Sequence, residues 1–291
     1  MTTKKVLGAI VVHHRSYETI EKVLSDLVHE GVAPENIVVV DNSDQDDSED
    51  RLRTLLPGST RLLSVANHGY GAAVNAGVRE LQAHATYDLL LVATHEVEIA
   101  DGSVGALVDA VRSAPNIGAA GPTLISRVDG ADKVWSTGGR FTRWARVPRH
   151  HDHRADVHAV QQSGSPTRRE WLDGAFVLYR AQLLSELRVN EVFFMYVEEV
   201  DLHLRIARAG FEVVWVPEAR VRQSSNGTPM LYFGRNLALL HRLNGESRRL
   251  VLLPFVALRM ALPLVVRRRS LRPVIDVVKG IVRGLTERMT R

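Results

Sequence analysis

Ile37-Val38-Val39-Val40-Asp41-Asn42 decides the fold: four β-branched apolar residues run straight into an acid and an amide. An apolar run of that length suits a buried strand, and the acid marks its carboxyl end. Upstream, Val6 to Val12 is a second such run. Between the two, Tyr17 to His29 carries Ile20, Val23, Leu24, Leu27 and Val28 on one helical stripe, with Gly31 as its stop. Strand, helix, strand is a β-α-β unit on a parallel sheet. Downstream the alternation continues, with strands expected at Arg61 to Val65, Asp88 to Ala93 and Ile117 to Ala120 and helices at Gly71 to Gln82 and Ser103 to Arg112. Ligands of open α/β sheets gather outside the carboxyl ends of the strands, where His13, Asp41, Asn67 and Glu96 all fall.

Ser126 to Glu170 breaks the alternation. It is rich in Arg, His, Gly and Pro, with Trp135 and Trp144 among the charges, and reads as loops and short strands over the pocket, the place for acceptor selectivity. A strand from Trp171 to Arg180, a helix from Glu198 to Arg208 ending at Gly210, and a strand from Phe211 to Val216 closed by Pro217 follow. The pattern divides the chain into a domain over residues 1–244 and a basic, apolar helical region over 245–291. Within the latter, Leu250 to Val266 is interrupted by Pro254, Arg259 and Pro263. It spans 17 residues, the short limit of the roughly 17–25 that cross a bilayer, so an interfacial or docked helix is expected.

Composition narrows the class. The 291 residues are 45% hydrophobic and 24% charged, which excludes wholesale disorder. No cysteine is present, so disulfides, thiolate zinc sites and a cysteine nucleophile are excluded. The start, Met1 to Lys5, leads into a strand rather than a signal-peptide apolar stretch, so a cytoplasmic location is expected, peripheral at the inner face of the cell membrane. Net charge is only +4, but Arg248, Arg249, Arg259, Arg267, Arg268, Arg269, Arg272, Lys279, Arg283, Arg288 and Arg291 crowd the last stretch. Beside apolar helix this suits an anionic membrane surface more than nucleic acid, for which no motif is present; a solvated helix face is the alternative.

Individual residues leave alternatives open. Asp41 is placed to accept hydrogen bonds from a base or ribose, but a strand-end Asp followed by Asn42 and Ser43 also makes turns. Gly69, Gly71 and Gly77 let backbone approach an anion, although the stretch is neither a phosphate-binding Walker loop nor a Gly-x-Gly-x-x-Gly fingerprint. Glu198, Asp201 and Arg205 share a helix face while Glu199 points about 100° away. Such acids serve chemistry, or cap the helix and pair with Arg205. Asp173 before Gly174 holds a sugar hydroxyl or makes a turn. His150, His151, His153 and His158 lack a zinc partner set, and Ser16, Ser43 and Ser136 lack a triad context.

Taken in order, Val39-Val40-Asp41-Asn42-Ser43, Asn67-x-Gly69-x-Gly71-x-Ala73-x-Asn75-x-Gly77, Gly174-Ala175-Phe176-x-Leu178-x-Arg180, Phe194-x-Tyr196-x-Glu198-Glu199-Val200-Asp201-Leu202-x-Leu204-Arg205 and Arg235-Asn236 resemble the bacterial family-two glycosyltransferases of the rhamnosyltransferase-like kind. The similarity runs from about Val6 to Asn244. It implies the GT-A (nucleotide-diphosphosugar transferase) fold, an α/β Rossmann-like mixed sheet flanked by helices, here with a C-terminal helical tail, and inverting transfer to a hydroxyl. By this resemblance Asp41 binds the nucleotide base and Asn67, Gly71 and Asn75 line its pocket, with His13, Thr94, His95, Asp173 and Arg235 also on the nucleotide sugar. Glu199 stands at the catalytic base, and Glu198 and Asp201 beside it are kept open as further catalytic candidates.

Thr94-His95-Glu96 falls where the family carries Asn-Pro-Asp or Asp-x-Asp, which makes Glu96 the ligand for Mg²⁺ or Mn²⁺. Glu96 and Glu199 are each one methylene longer than the family's Asp, and Gln223 replaces its later histidine, so cationic His95, Arg222 or Arg235 could take over the duty of an ion. The implied partners are a nucleoside-diphosphate sugar of the dTDP-rhamnose or UDP-hexose type, an acceptor saccharide, lipid-linked sugar or natural-product aglycone, a membrane surface, and a second copy in a homodimer, with no nucleic acid. Two rival readings are a catalytically degenerate sugar-nucleotide-binding scaffold and a nucleotidyltransferase, though His13-His14-Arg15-Ser16 lacks the glycines of the latter.

Overall fold

The computed structural model describes residues 6–45, 47–160, 163–224 and 228–288. In chain order it has β1 (Leu7–His13), α1 (Tyr17–His29), β2 (Ile37–Asp41), α2 (Ser48–Leu55), β3 (Arg61–Ser64), α3 (Tyr70–His84), β4 (Leu89–Thr94), β5 (Val97–Ile99), α4 (Ser103–Ser113) and β6 (Ile117–Val128). There follow β7 (Ala131–Ser136), β8 (Gly139–Phe141), β9 (Pro148–His150), β10 (Thr167–Arg169), β11 (Phe176–Arg180), α5 (Ala181–Leu187), α6 (Glu198–Arg208), β12 (Glu212–Gln223), α7 (Met230–Leu243), α8 (Leu253–Arg268) and α9 (Arg272–Thr286).

One mixed sheet runs β10-β12-β6-β11-β4-β1-β2-β3, with β5 on β12 and β7 on β6. The β4-β1-β2-β3 half is parallel, and β11 inserts antiparallel between β4 and β6. Successive side chains of β1 take opposite faces: Ala9 and Val11 pack with Ile20, Leu24 and Leu27 of α1, and Ile10 and Val12 with Ala73 and Leu81 of α3. That double burial is why the strands read as unbroken apolar runs. Leu24 and Leu27 are fully buried, so truncating either to Ala costs about 2–5 kcal/mol.

Two prolines mislead the sequence reading at one place. β12 does not stop at Pro217 but runs to Gln223, and β6 does not stop at Ala120 but runs to Val128. Their parallel pairing slips between Trp215 and Arg220, opposite Gly121 to Thr123, so Pro217 and Pro122 both sit at the break, where proline's missing N–H removes no ladder bond. The strand expected from Trp171 begins only at Phe176, because Asp173 Oδ1 accepts from the Ala175 N–H (3.0 Å) and turns the chain. The helices α2 and α5 and strand β5 were not foreseen.

The C-terminal helices extend the same body. Helix α7 packs most closely on α9, backbone against backbone: a β-carbon on Gly234 would strike the Val277 carbonyl, and ones on Gly280 and Gly284 the carbonyls of Leu231 and Arg235. The run Ser247–Arg267, 21 residues, is long and apolar enough by length and composition to cross a membrane.

Candidate active site

At the carboxyl ends of β1 and β2, Asp41 is 4% exposed and His13 fully buried. Burial works to raise the Asp41 pKa, but bonds from His13, Ser43 and Ser48 outweigh it and hold the carboxyl at about 2. An ionised carboxylate only accepts, so His13 Nδ1–H donates to Asp41 Oδ1 (2.9 Å), as do the Ser43 N–H (3.1 Å) and hydroxyl (2.5 Å). His13 Nε2 is left buried without a partner among the described residues. The His95 ring meets His13 edge-on at 5.3 Å and donates from Nδ1 to the Val12 carbonyl (3.1 Å). Burial lowers the His95 pKa to about 4, so it is neutral near pH 7 and supplies no positive charge.

The glycine turn ahead of α3 is held against the loop that leads into α6. Asn67 Oδ1 accepts from the Gly69 N–H (3.1 Å), and the Tyr70 N–H donates to the Phe194 carbonyl (2.7 Å). Gly69 sits at φ 97°, and a β-carbon there would collide with that carbonyl, so only glycine fits. Gly71 packs on Val189. Asn75 is turned inward, its Nδ2 donating to the Val189 carbonyl (2.8 Å) and Glu191 Oε1 (2.9 Å) and its Oδ1 accepting from the Val189 N–H (2.9 Å). This corrects its expected place on the nucleotide: the side chain fastens α3 to the loop after α5.

Three acids, Glu198, Glu199 and Asp201, lie in the first turn of α6. Phe194, Tyr196 and Val197 all have positive φ (65°, 70° and 75°), a left-handed path costing about 1–3 kcal/mol per residue. Asn236 Nδ2 pins it through the carbonyls of Met195 (2.7 Å) and Tyr196 (2.8 Å), and Arg235 through those of Phe193 (3.0 Å) and Val192 (2.7 Å). The path delivers Glu198, 5% exposed with Oε2 unpartnered among the described residues, and half-buried Glu199. Burial, then the charge of Asp173, pushes Glu198 up to about 7. Burial, then the charges of Glu198 and Asp173, pushes Glu199 well above the usual carboxylate range. Both line a cavity of about 10 Å³ with Tyr70, Gly174 and Tyr179, about the space of one water.

Asp173 accepts from Trp135 Nε1 (2.8 Å), and Tyr70 OH donates to the Gly174 carbonyl (2.8 Å), so the segment between β6 and β11 forms one wall. Of the two readings left open for Asp201, the structure shows the pairing with Arg205: its two oxygens take Arg205 Nε (2.8 Å) and Asn244 Nδ2 (2.9 Å). Arg235, bonded to the loop carbonyls and to Glu287 (3.2 Å), is a positioning residue rather than a ligand group. Arg222 pairs with Glu98 (3.1 Å) and Asp132 (2.5 Å). None of His95, Arg222 and Arg235 therefore offers an uncommitted positive charge.

Glu96 at the end of β4 accepts from the Ser224 hydroxyl (2.6 Å), and Thr94 Oγ1 is buried without a partner among the described residues. No three His, Cys, Asp or Glu side chains cluster to hold an ion among the described residues. One carboxylate among hydroxyls nonetheless suits a hard cation that shares its ligands with substrate phosphates, which is how Mg²⁺ is commonly bound. The landmarks connect electrostatically: after burial, the Tyr196 phenol is raised by Glu198 and Glu96, and the Tyr70 phenol by Tyr179, Glu198, Glu199 and Asp173. Tyr70 and Tyr196 were not given a role from sequence, though both lie inside the quoted motifs.

A mixed sheet with acids at its rim is the architecture of GT-A glycosyltransferases, and solved structures agree. GalNAc-T7 with UDP, GalNAc and Mn²⁺ superposes with a TM-score of 0.61 at 14% identity over 85% of this chain, which spans 52% of that protein. The mannosyltransferase PcManGT from Pyrobaculum calidifontis, with GDP-Man and Mn²⁺, gives 0.60 at 14% identity over 98% of this chain and 88% of its own. Staphylococcus aureus TarS with UDP-GlcNAc gives 0.57 at 12% identity over 96% and 81%. Residues 9–176 match the glycosyl transferase family 2 pattern, and the chain belongs to that family. It is a glycosyltransferase. The N-acetylglucosaminyl-diphospho-decaprenol L-rhamnosyltransferase of Mycobacterium tuberculosis is 30% identical over 241 residues, 74% of this chain and 75% of the relative.

Proposed function

We propose that this enzyme moves a sugar, with inversion, from a nucleoside-diphosphate sugar of the dTDP-rhamnose or UDP-hexose type to a hydroxyl of a lipid-linked saccharide. The observation that carries the reading is the pair Glu198 and Glu199, which line one cavity at the start of α6 and whose carboxyls are both raised by burial and neighbouring charge, Glu198 to about 7. A general base works best when its pKa lies near the operating pH. In this reading Glu199 takes the acceptor hydroxyl's proton as the acceptor oxygen bonds to the anomeric carbon. The bond from that carbon to the diphosphate breaks on the opposite face, and the nucleoside diphosphate leaves with the electron pair.

Glu198 keeps the pair's proton affinity high, and Asp173, oriented by Trp135, faces sugar hydroxyls. Asp41, Asn67 and His13 form the nucleotide end. Glu96, with Ser224 and Thr94 beside it, would hold Mg²⁺ or Mn²⁺ jointly with the donor's phosphates. Such an ion offsets the charge that develops on the leaving diphosphate. The lipid-linked acceptor and the rhamnosyl donor rest on the name of the mycobacterial relative. A screen of donors by nucleotide release, run against lipid-linked and soluble acceptors, tests the reading. Hydrolysis or silence with every pairing would leave the sugar-nucleotide-binding scaffold instead.

A further inference from the structure

Helices α8 and α9 are built inside out. On α8 the small residues Ala257 (4% exposed) and Ala261 (0%) face inward, while Phe255 (72%), Leu258 (55%), Leu262 (53%) and Val266 (71%) face solvent. With Val251 (70%) ahead of them, these recur at 251, 255, 258, 262 and 266, one face of a helix. On α9, Val277, Gly280 and Gly284 face inward, and Leu271, Ile275, Val278, Val282 and Leu285 are exposed at the same spacing. Folding the domain therefore leaves two neighbouring apolar stripes in water, which an ordinary surface helix avoids.

The chemistry around the stripes says what covers them. Residues 253–288 hold eight Lys and Arg against two acids. Arg259, on α8, projects about 60° from the centre of its stripe, and Arg272, Lys279 and Arg283 flank that of α9 about 80–120° away. All four are exposed, as are Arg267 and Arg269. Exposed Trp144 sits at the α8 end, in a groove of about 440 Å³ that Arg143, Arg248, Arg249, Val251 and Leu252 also line. An apolar face bordered by cations complements a bilayer with anionic headgroups, where long basic side chains snorkel to phosphates and tryptophan sits at the interface. A second copy would bring basic border against basic border. A span is disfavoured by exposed Arg259, by Pro263 within α8 and by the face α8 gives to α9.

We infer that α8 and α9 together form a monotopic docking surface for an anionic lipid bilayer, lying in its plane with the two stripes sunk about 5–10 Å. This rests on the exposed stripes and their charge, independently of the donor and acceptor assignments above.

Flotation of the full chain with vesicles tests it. Binding to phosphatidylcholine vesicles containing about 30% phosphatidylglycerol is expected to exceed binding to phosphatidylcholine alone by about tenfold and to fall with salt. The pair Phe255→Glu and Val282→Glu should cut binding about tenfold or more. The set Arg259→Gln, Lys279→Gln and Arg283→Gln should erase the anionic preference while leaving turnover on a soluble acceptor within about twofold. Because the glutamine set leaves every apolar contact in place, it carries the test even if the glutamate pair misfolds by circular dichroism. Absence of flotation, flotation indifferent to both sets, or a solution dimer that the glutamate pair splits would overturn the inference. Flotation without turnover on any acceptor would leave the docking intact and remove the catalytic reading.

Discussion

Two acidic regions of one rim are built on opposite principles. Asp41, at the end of β2, is surrounded by donors and held at about 2, whereas Glu198 and Glu199, at the start of α6, are buried beside each other and Asp173 and pushed up, Glu198 to about 7. The first is a permanent anion that fixes the strand ends; the second is a store for one proton. Hydrogen-bond supply, not burial alone, decides which kind of carboxylate a fold makes.

The largest expected effect separates the two directly. Glu199→Gln should lower kcat by about 10²–10⁴-fold and leave nucleotide Kd within about twofold; equal losses would make the residue structural. The pH–rate profile comes next. The base must be ionised, and its pKa is raised, so kcat/KM should climb by up to about tenfold per pH unit along an acid limb displaced above the ordinary carboxylate range, and a flat profile from pH 5 to 9 would break the assignment. Removing divalent ions with EDTA should cost about tenfold in turnover, restored by Mn²⁺ in the wild type but not in Glu96→Ala. Unchanged turnover in EDTA would take the ion out of the reaction.

Stability offers the smaller, sharper contrasts. A folded pKa of about 2 against the ordinary 3.8 gives Asp41 stability that is present above 3.8 and lost as pH falls through 2. Asp41→Asn should therefore cost about 2 kcal/mol in urea unfolding at pH 7 and much less near pH 2. Glu198 has the opposite sign: its raised pKa penalises the folded state above about 7 and not below the ordinary 4.5. Glu198→Gln should then gain on the order of 1 kcal/mol at pH 8 and nothing at pH 4, and a loss at pH 8 would mean the carboxylate holds the loop.

The sequence made β1, β2, β4, α1 and α6 legible because local pattern and burial agree there: apolar runs are strands covered on both faces, and the Glu198 helix carries its own amphipathic stripe. Pro122 and Pro217 concealed the long strands, since their tolerance depends on a register slip between β6 and β12 that neither sequence announces alone. In the site, the acid at each motif was legible, but its use was not. Asn75 and Arg235 read as ligand groups and Asp201 as a catalytic acid because they sit in the motifs, and only the backbone of residues 187–197 and Asn244, brought close by the fold, shows them fastening the loop. Trp135 and Asp173 lie 38 residues apart, a pairing no local pattern encodes.

The glycine seam between α7 and α9 carries a practical lesson. Glu287, just past α9, grips Arg235, and Arg235 in turn grips the strained turn that presents Glu198 and Glu199. Trimming the final helix to obtain a better-behaved fragment would thus slacken the chemistry as well as the anchor. Seating the tail and tensioning the turn ahead of α6 are one mechanical act.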